Sequence, residues 1–364
     1  MRVLHVFGVM NRGGAESMIM NLYRKVDKSK LQFDFVVHRN TPGSFDEEIK
    51  EFGGKIYRCP SFSFSSALAY RKWWIDFFNE HKEYSIIHSH IRSSAFVYLR
   101  IAKKQGLKTI IHSHSTSNGS GINGAIKTKT QRIALRYSDY YMGCSKEAGL
   151  WFFGERIVNG NNYHMLQNAV DLEEFSFSSE KRESIRNTLG LHGKEPVYMH
   201  VGRFHPSKNH EFLLNLFSAL VRQNPDSMLV LVGDGELRDK IENQIADLGV
   251  KENVIMTGVR SDVNSLLLAA DCFLFPSNWE GLPVTVVEAQ ASGLPCFISD
   301  RITKDVCVSD LVTSLPIDMG IEPWLTAIKT SRLQRKDVSE EIRSHGFDIN
   351  DSVKWLTSFY EGIV

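Results

Sequence analysis

The chain has 364 residues, is 42% hydrophobic and 23% charged, and carries 43 Lys and Arg against 42 Asp and Glu, a net charge of +1. That length predicts two domains, the composition excludes a disordered chain, and the charge balance excludes a dedicated nucleic-acid binder, whose footprint is a strongly basic domain. The balance conceals a split: residues 1–175 hold 24 Lys and Arg against 16 Asp and Glu, net +8, while residues 176–364 hold 19 against 26, net −7.

The first element is a short apolar strand over 2–9, followed by a turn at Asn11, Arg12, Gly13 and Gly14. A helix over 15–25 comes next, with Met18, Ile19 and Leu22 at helical spacing. Strand, Gly-rich turn and helix open a βαβ unit. The pattern continues with a strand at 33–38, a helix near 44–52, and strands at 54–60, 85–90 and 107–114, with a helix at 93–104 between the last two. The second half repeats it, with strands at 196–204, 227–235, 253–259, 272–277 and 295–299. Helices at 209–223, 236–248, 262–270 and 284–292 separate these strands. Such alternation predicts parallel sheets covered on both faces. The fold class is therefore α/β with two doubly wound Rossmann-like domains. The predicted domains are 1–175, joined by a helix over 349–362, and 190–345. A polar stretch with a short helix near 172–195 is the expected boundary.

The five cysteines, Cys59, Cys144, Cys272, Cys296 and Cys307, are odd in number, scattered and without a CxxC. That excludes a zinc-ribbon pattern and fits a reducing compartment. The apolar opening is too short for a secretory h-region, and no run approaches the ~18 apolar residues of a membrane span. The expectation is a cytoplasmic protein able to lie on the inner face of the plasma membrane.

In open parallel sheets, ligands bind beyond the carboxyl ends of the strands. After the strand at 196–204 stand Gly202, Arg203, Lys208 and Asn209, and two cations at a strand end suit a pyrophosphate. After the strand at 272–277 come Glu280, Gly281, Leu282, Pro283 and Val284, with Pro283 expected near the first helical position. Glu288 lies eight residues beyond Glu280. A helix N-terminus there favours an anion, and the two carboxylates would rather accept from ribose or sugar hydroxyls. In the first half, Gly13 and Gly14 could bring backbone N–H groups to a phosphate. Two His-Ser-His tripeptides, His88 to His90 and His112 to His114, end strands. No third cluster with ligand spacing accompanies them and no DxD occurs, so neither a zinc site nor a metal holding the diphosphate is expected.

These residues carry a resemblance. GGAE at 13–16, His114, NAVD at 168–171, GRF at 202–204, Lys208-Asn209, GDGEL at 233–237 and TGVRSDV at 257–263 lead to AADCFLFPSNWEGLPVTVVEAQASGLP at 269–295. The chain resembles the retaining glycosyltransferase family 4, of GT-B fold, over essentially its whole length. It is also similar to bacterial exopolysaccharide and capsule enzymes. Ala169 departs from the glycine usual in the family.

The resemblance implies two domains facing each other across a cleft, with the C-terminal helix returning to the first. It assigns Arg203 and Lys208 to the donor diphosphate, Glu288 to the ribose and Glu280 to the transferred sugar. Backbone groups of residues 281–284 would line the sugar and phosphate, and those around Val259 would read the base. Gly13 and Gly14 would close over the phosphate, and His114 would sit by the reacting sugar. The implied reaction is metal-independent, retaining transfer from a nucleotide-sugar, most often a UDP-sugar, which is a substrate rather than a cofactor. The implied acceptor is a saccharide or a polyprenyl-diphosphate-linked sugar, with His90 and His112 on its side. An epimerase or phosphorylase of the same fold, or a non-catalytic sugar-binding protein, are the alternatives. A dehydrogenase is weaker, because GxGxxG is missing after the first strand.

The basic first half also pairs cations with aromatics. Arg71, Lys72, Trp73, Trp74, Phe77 and Phe78 fall in a helix near 70–82. Lys127, Lys129, Arg132 and Arg136 occur with Ile126, Ile133 and Leu135, and Trp151, Phe152 and Phe153 are adjacent. Such stretches suit an anionic membrane surface, or else a core face with a solvated basic side.

Overall fold

The structure is a computed structural model that describes residues 1–114 and 130–364. The chain divides into two compact units: Met1–Ala169 with Ile349–Val364, and Val170–Asp348.

The first unit is built on a seven-stranded sheet of order β3-β2-β1-β4-β5-β6-β7. Its strands are β1 (Arg2–Phe7), β2 (Gln32–Val37), β3 (Ile56–Arg58), β4 (Ile86–Ser89), β5 (Lys108–Ser113), β6 (Tyr140–Gly143) and β7 (Tyr163–Met165). Every pair is parallel. β1 to β5 overlap the expected ranges and are mostly shorter, while β2 begins one residue earlier, at Gln32. β6 and β7, toward one edge, are short and weakly patterned, and the sequence alone does not announce them. Two apolar layers cover the sheet. One includes Val3, Phe33, Phe35 and Ile110, and the other Leu4, Val36, Ile87 and Ile111. Residues one apart on a strand thus enter opposite layers, as the period of two requires.

The helix Ile349–Ile363 completes the first layer: Ile349, Leu356 and Tyr360 are buried in it. Tyr360 also reaches the sheet, with its hydroxyl 2.7 Å from His88 Nδ1. The helix Ala67–Glu80 turns Tyr70, Trp74, Phe77 and Phe78 into the other layer. Trp73 stacks on Phe77, with ring centroids 5.0 Å apart. The aromatic run expected to meet a membrane is therefore core. Phe152 and Phe153 are buried as well, and Trp151 is partly exposed beneath the Arg92 guanidinium, 5.0 Å from its ring. Ile126, Lys127 and Lys129 lie outside the described residues. Arg132 and Arg136 are exposed, while Leu135 packs against the core.

The second unit carries a six-stranded sheet of order β10-β9-β8-β11-β12-β13. Its strands are β8 (Val197–Val201), β9 (Met228–Val232), β10 (Val254–Gly258), β11 (Cys272–Phe275), β12 (Cys296–Ser299) and β13 (Val312–Leu315). All its pairs are parallel too. The polar stretch near the expected boundary is not a free linker. It forms two helices, Leu172–Phe175 and Ser179–Thr188, capped by the Asp171 and Ser178 side chains. Arg182 donates to the carbonyls of Leu268, Ala269 and Ala270 and to Asp271, the last at 2.6 Å. Arg335 donates to Leu267, Leu268 and Ala270 from another side. Together they satisfy the orphan carbonyls that end the helix Val263–Ala269.

Candidate active site

In each sheet the strand order reverses at one place, between β1 and β4 and between β8 and β11. There, neighbouring strands send their connections to opposite faces and leave a crevice at the carboxyl edge. The sequence-predicted residues gather at these two points.

In the second unit, β8 runs into Gly202, Arg203 and the turn Pro206–Lys208, while β11 runs into residues 276–283. The switch point thereby joins residues far apart in sequence. Lys208 Nζ lies 2.8 Å from Glu280 Oε1, and each side chain is only 14% exposed. The ammonium also sits 4.5 Å from the centre of the Phe275 ring. Asn209, in the left-handed region at φ 55°, turns the chain so that Lys208 points back to the strand end. Gly202 makes room for the lysine: a Cβ there would stand 2.9 Å from Lys208 Cε. Gly233, at φ +139°, lies so close to Gly202 that a Cβ would run into the Gly202 carbonyl oxygen. Arg203 does not join this pair. It is 69% exposed and lies 3.1 Å from Glu236.

Glu288 lies within the helix Val284–Ala291, and burial pushes its carboxyl up to about 7. Pro283 is the residue immediately before that helix rather than inside it. Leu282 and Val284 pack against the core, Gly281 is exposed, and Val259 is 67% exposed just beyond β10. Two hydroxyls that sequence reasoning missed stand in the same region. Ser277 Oγ and Thr285 Oγ1 are buried without a hydrogen-bond partner among the described residues. Buried hydroxyls normally find partners, so these two mark a place where a ligand can supply them. Their only sequence signal is position, just after β11 and in the first turn of the following helix.

In the first unit, Gly13 caps the helix Gly14–Lys25 with extended backbone and no side-chain bond. A Cβ on Gly13 would collide with the Glu16 carboxylate, whereas one on Gly14 would meet nothing within 4 Å. The Glu16 side chain can swing away, so space alone does not demand glycine at Gly13, and Gly14 borders open space. Asn168 holds this turn by donating to the Gly14 carbonyl at 3.3 Å.

The histidines form a chain across three strands. His5 Nδ1 is 3.0 Å from His90 Nε2, and His90 Nδ1 is 2.8 Å from His114 Nε2. His5 Nε2 is buried without a partner. A buried N–H left unpaired costs more than a buried lone pair, so the lone pair belongs there. His5 then donates to His90, His90 donates to His114, and His114 keeps its own proton on Nδ1. Burial lowers His5 and His114 to about 3, and it holds His88, His90 and His112 well below the ordinary imidazole range. All five are neutral at pH 7. His112 was expected on the acceptor side. It is fully buried, its ring 4.0 Å from that of His114, and it does not reach the surface. His90 is half-buried, with both of its ring nitrogens taken up by His5 and His114.

The sheet also supplies a third member that the tripeptides lacked, His5. Ring nitrogens of His5, His88 and His90, and of His90, His112 and His114, lie within 4.8 Å of one another in each group. The expectation of no zinc site rested on the lack of a further cluster of Cys, Asp or Glu and did not weigh His5, because β1 is distant in sequence. As they stand, His5, His90 and His114 spend these nitrogens on one another.

The comparisons with known proteins agree with this architecture. Residues 12–174 match the family described as "Glycosyltransferase Family 4", and residues 181–318 match "Glycosyl transferases group 1". EpsF of Bacillus subtilis (strain 168), named as a glycosyltransferase, is 36% identical over 99% of this chain and 96% of its own. The chain belongs to glycosyltransferase family 4. An Escherichia coli family relative, named UDP-Gal:alpha-D-GlcNAc-diphosphoundecaprenol alpha-1,3-galactosyltransferase, is 27% identical over 78% of this chain and 76% of its own. Among solved structures, Anabaena Alr3699/HepE in complex with UDP superposes with a TM-score of 0.80 over 100% of both chains at 17% identity. The family's GT-B fold is thus shared by this chain, with two α/β units each built on a parallel sheet.

Proposed function

We propose that this family 4 enzyme transfers a sugar, with retention, from a UDP-sugar to a lipid-linked saccharide during assembly of a bacterial surface polysaccharide. The observation that carries the reading is the buried Lys208–Glu280 pair at the β8/β11 switch point. A lysine held by a carboxylate over an aromatic ring is a charge waiting for an anion. A diphosphate bound there would take Lys208 from Glu280 and free the carboxylate to accept from sugar hydroxyls. Arg203 would swing from Glu236 to the same diphosphate. Glu288 would accept from the ribose, and the unpartnered Ser277 and Thr285 hydroxyls would complete their bonds on the donor. Backbone groups of residues 281–284 and around Val259 would line the sugar, phosphate and base, and Gly13 and Gly14 would meet the phosphate.

Among the structural relatives, Anabaena Alr3699/HepE has been solved with UDP and with UDP-glucose, which supports a UDP donor. The Escherichia coli relative's diphosphoundecaprenol acceptor supports a lipid-linked one. In the proposed reaction the C1–O bond to the diphosphate breaks, and the acceptor oxygen bonds to C1 on the same face. The acceptor proton passes to the departing phosphate oxygen, giving the glycoside and UDP. Fixed cations stabilise the charge that develops on the leaving group. His114, neutral and carrying Nδ1–H, would donate to a hydroxyl of the reacting sugar, with no metal in the step.

A thermal-shift panel of UDP-, GDP- and ADP-sugars tests the donor, since a ligand at 100 times its Kd adds about 2.7 kcal/mol to stability. UDP-sugars are expected to stand out, and a preference for GDP- or ADP-sugars would overturn the donor assignment. Glu280→Gln is expected to bind UDP within a few-fold of wild type and to lose transfer by at least two orders of magnitude. A fully active variant would remove Glu280 from the chemistry. Release of free UDP without any acceptor, together with an altered sugar, would favour an epimerase.

A further inference from the structure

The first unit contains a second concave site that the glycosyl-transfer residues do not use. It is a groove of about 480 Å³ between the helices Ala67–Glu80 and Ala95–Lys104. Its volume falls in the range of small-molecule pockets. One wall carries Phe64 and Leu68, the other Phe96 and Val97, with Phe62 between them. Phe64 is 71% exposed and Leu68 84% exposed, so two large apolar side chains stand in water at its mouth. Apolar exposure of this kind, gathered in a groove, marks a binding surface.

The charges around the groove decide what fits it. Arg71, Arg100 and Lys104 line its rim. Among the described residues none of the three is paired with a carboxylate. Their immediate neighbours are paired: Lys72 lies 2.6 Å from Asp76, and Lys103 lies 2.7 Å from Asp139. Neither Lys72 nor Lys103 lines the groove, and Arg100 on its rim also stands 5.8 Å from the centre of the Tyr137 ring. An apolar trough ringed by three uncompensated positive charges complements an amphiphile with a hydrocarbon chain and an anionic head. The lining runs from Phe96 and Val97, in the first turn of the helix that follows β4, to Lys104 at its last residue, so the groove extends along the helix.

We infer that this groove binds an anionic membrane lipid, with its hydrocarbon chain between the two helices and its phosphate on Arg71, Arg100 and Lys104. The assignment deepens the reading of a lipid-linked acceptor and rests on it only for its purpose; the binding itself stands apart from glycosyl transfer. It also replaces Trp74, Phe77 and Phe78, which are core, with exposed Phe64 and Leu68 as the apolar contact.

The test is flotation of the full chain with vesicles of phosphatidylcholine alone and of phosphatidylcholine with phosphatidylglycerol, at low and high salt and without any sugar nucleotide. Wild type is expected to float with the anionic vesicles and to bind the neutral ones at least ten-fold less. F64Q/L68Q, on exposed positions, is expected to lose at least ten-fold while remaining folded. R71Q/R100Q/K104Q is expected to lose as much, whereas K72Q/K82Q/K103Q, with the same change in charge, is expected to float like wild type. Inorganic phosphate at millimolar concentration is not expected to displace the protein, because the chain and not the phosphate alone holds it. Equal loss in the two triple variants, displacement by phosphate, unaltered floating of F64Q/L68Q, or no binding at low salt would each overturn the groove. None of these outcomes depends on the donor or on transfer, so the glycosyltransfer reading stands or falls separately.

Discussion

Glu288 and Gly202 show how single residues tune the donor side. Burial raises the Glu288 carboxyl from 4.5 to about 7. The folded state therefore holds a proton that the unfolded state releases between these values, and the residue's contribution to stability falls as pH rises from about 4.5 to 7. Glu288→Gln, free of that charge, is expected to melt later than wild type at pH 8, by roughly 2–3 kcal/mol. The gap should vanish below about pH 4.5, and melting curves at both pH values check it. A gap that persists in acid would mean that burial of the charge is not the cause. Gly202→Ala pushes mainly on the flexible end of Lys208, with a milder contact of 3.3 Å to His200 Nε2, so the expected outcome is a normal fold with weaker UDP binding. Gly233→Ala drives a Cβ into backbone at a left-handed φ, and a loss of roughly 2–4 kcal/mol is expected. Urea unfolding and UDP titration of the two variants separate these effects.

At the scale of elements, helix ends and strand ends carry the design. The helix Ile349–Ile363 is tied to the sheet by Tyr360, whose hydroxyl meets the buried His88. Tyr360→Phe keeps the packing and orphans the His88 nitrogen. It is expected to cost about 1–3 kcal/mol in urea unfolding, with the donor site untouched. A neutral result would show that His88 finds another partner. The alternation of apolar strands and amphipathic helices made these elements legible in the sequence, and the predicted boundaries differ from the observed ones mainly where polar residues extend a strand into its loop. β6, β7 and β13 were illegible because they are short and carry too little pattern. The short helix expected in the polar boundary stretch is Ser179–Thr188, but its docking was not legible: its arginines are spent on the carbonyls of residues 268–270, a pairing no local pattern shows.

At the scale of the molecule, the two units differ in how acid should affect them. The first holds His5 at about 3, His38 at about 4 and His114 at about 3, with His88, His90 and His112 also lowered. The second holds His200, lowered, and His210 at about 4. A histidine kept neutral by burial takes its proton on unfolding. Stability is therefore whole above about pH 6.5 and is lost as pH falls from there toward the folded value. Each such group removes about 1.4 kcal/mol per pH unit in that window. The first unit is expected to unfold in acid before the second, giving two transitions in calorimetry at pH 5 where they overlap at pH 7.5. A single transition at both pH values would contradict this.

The sequence by itself determined most of the elements, the parallel α/β architecture of the two units and the family, because each rests on local periodicity and on motifs written in short runs. It also named Lys208, Glu280 and Glu288, since the switch-point rule locates a site from strand ends alone. Only the tertiary structure decided which of these residues meet. It joined Lys208 to Glu280, sent Arg203 to Glu236, brought His5 to His90 and buried His112 under His114. It also turned Trp74 inward and left Phe64, Leu68 and three unpaired cations around an open groove. Those outcomes depend on which strands lie side by side and which helix face the sheet covers. Both are set by contacts between residues far apart in the chain, and local pattern does not encode them.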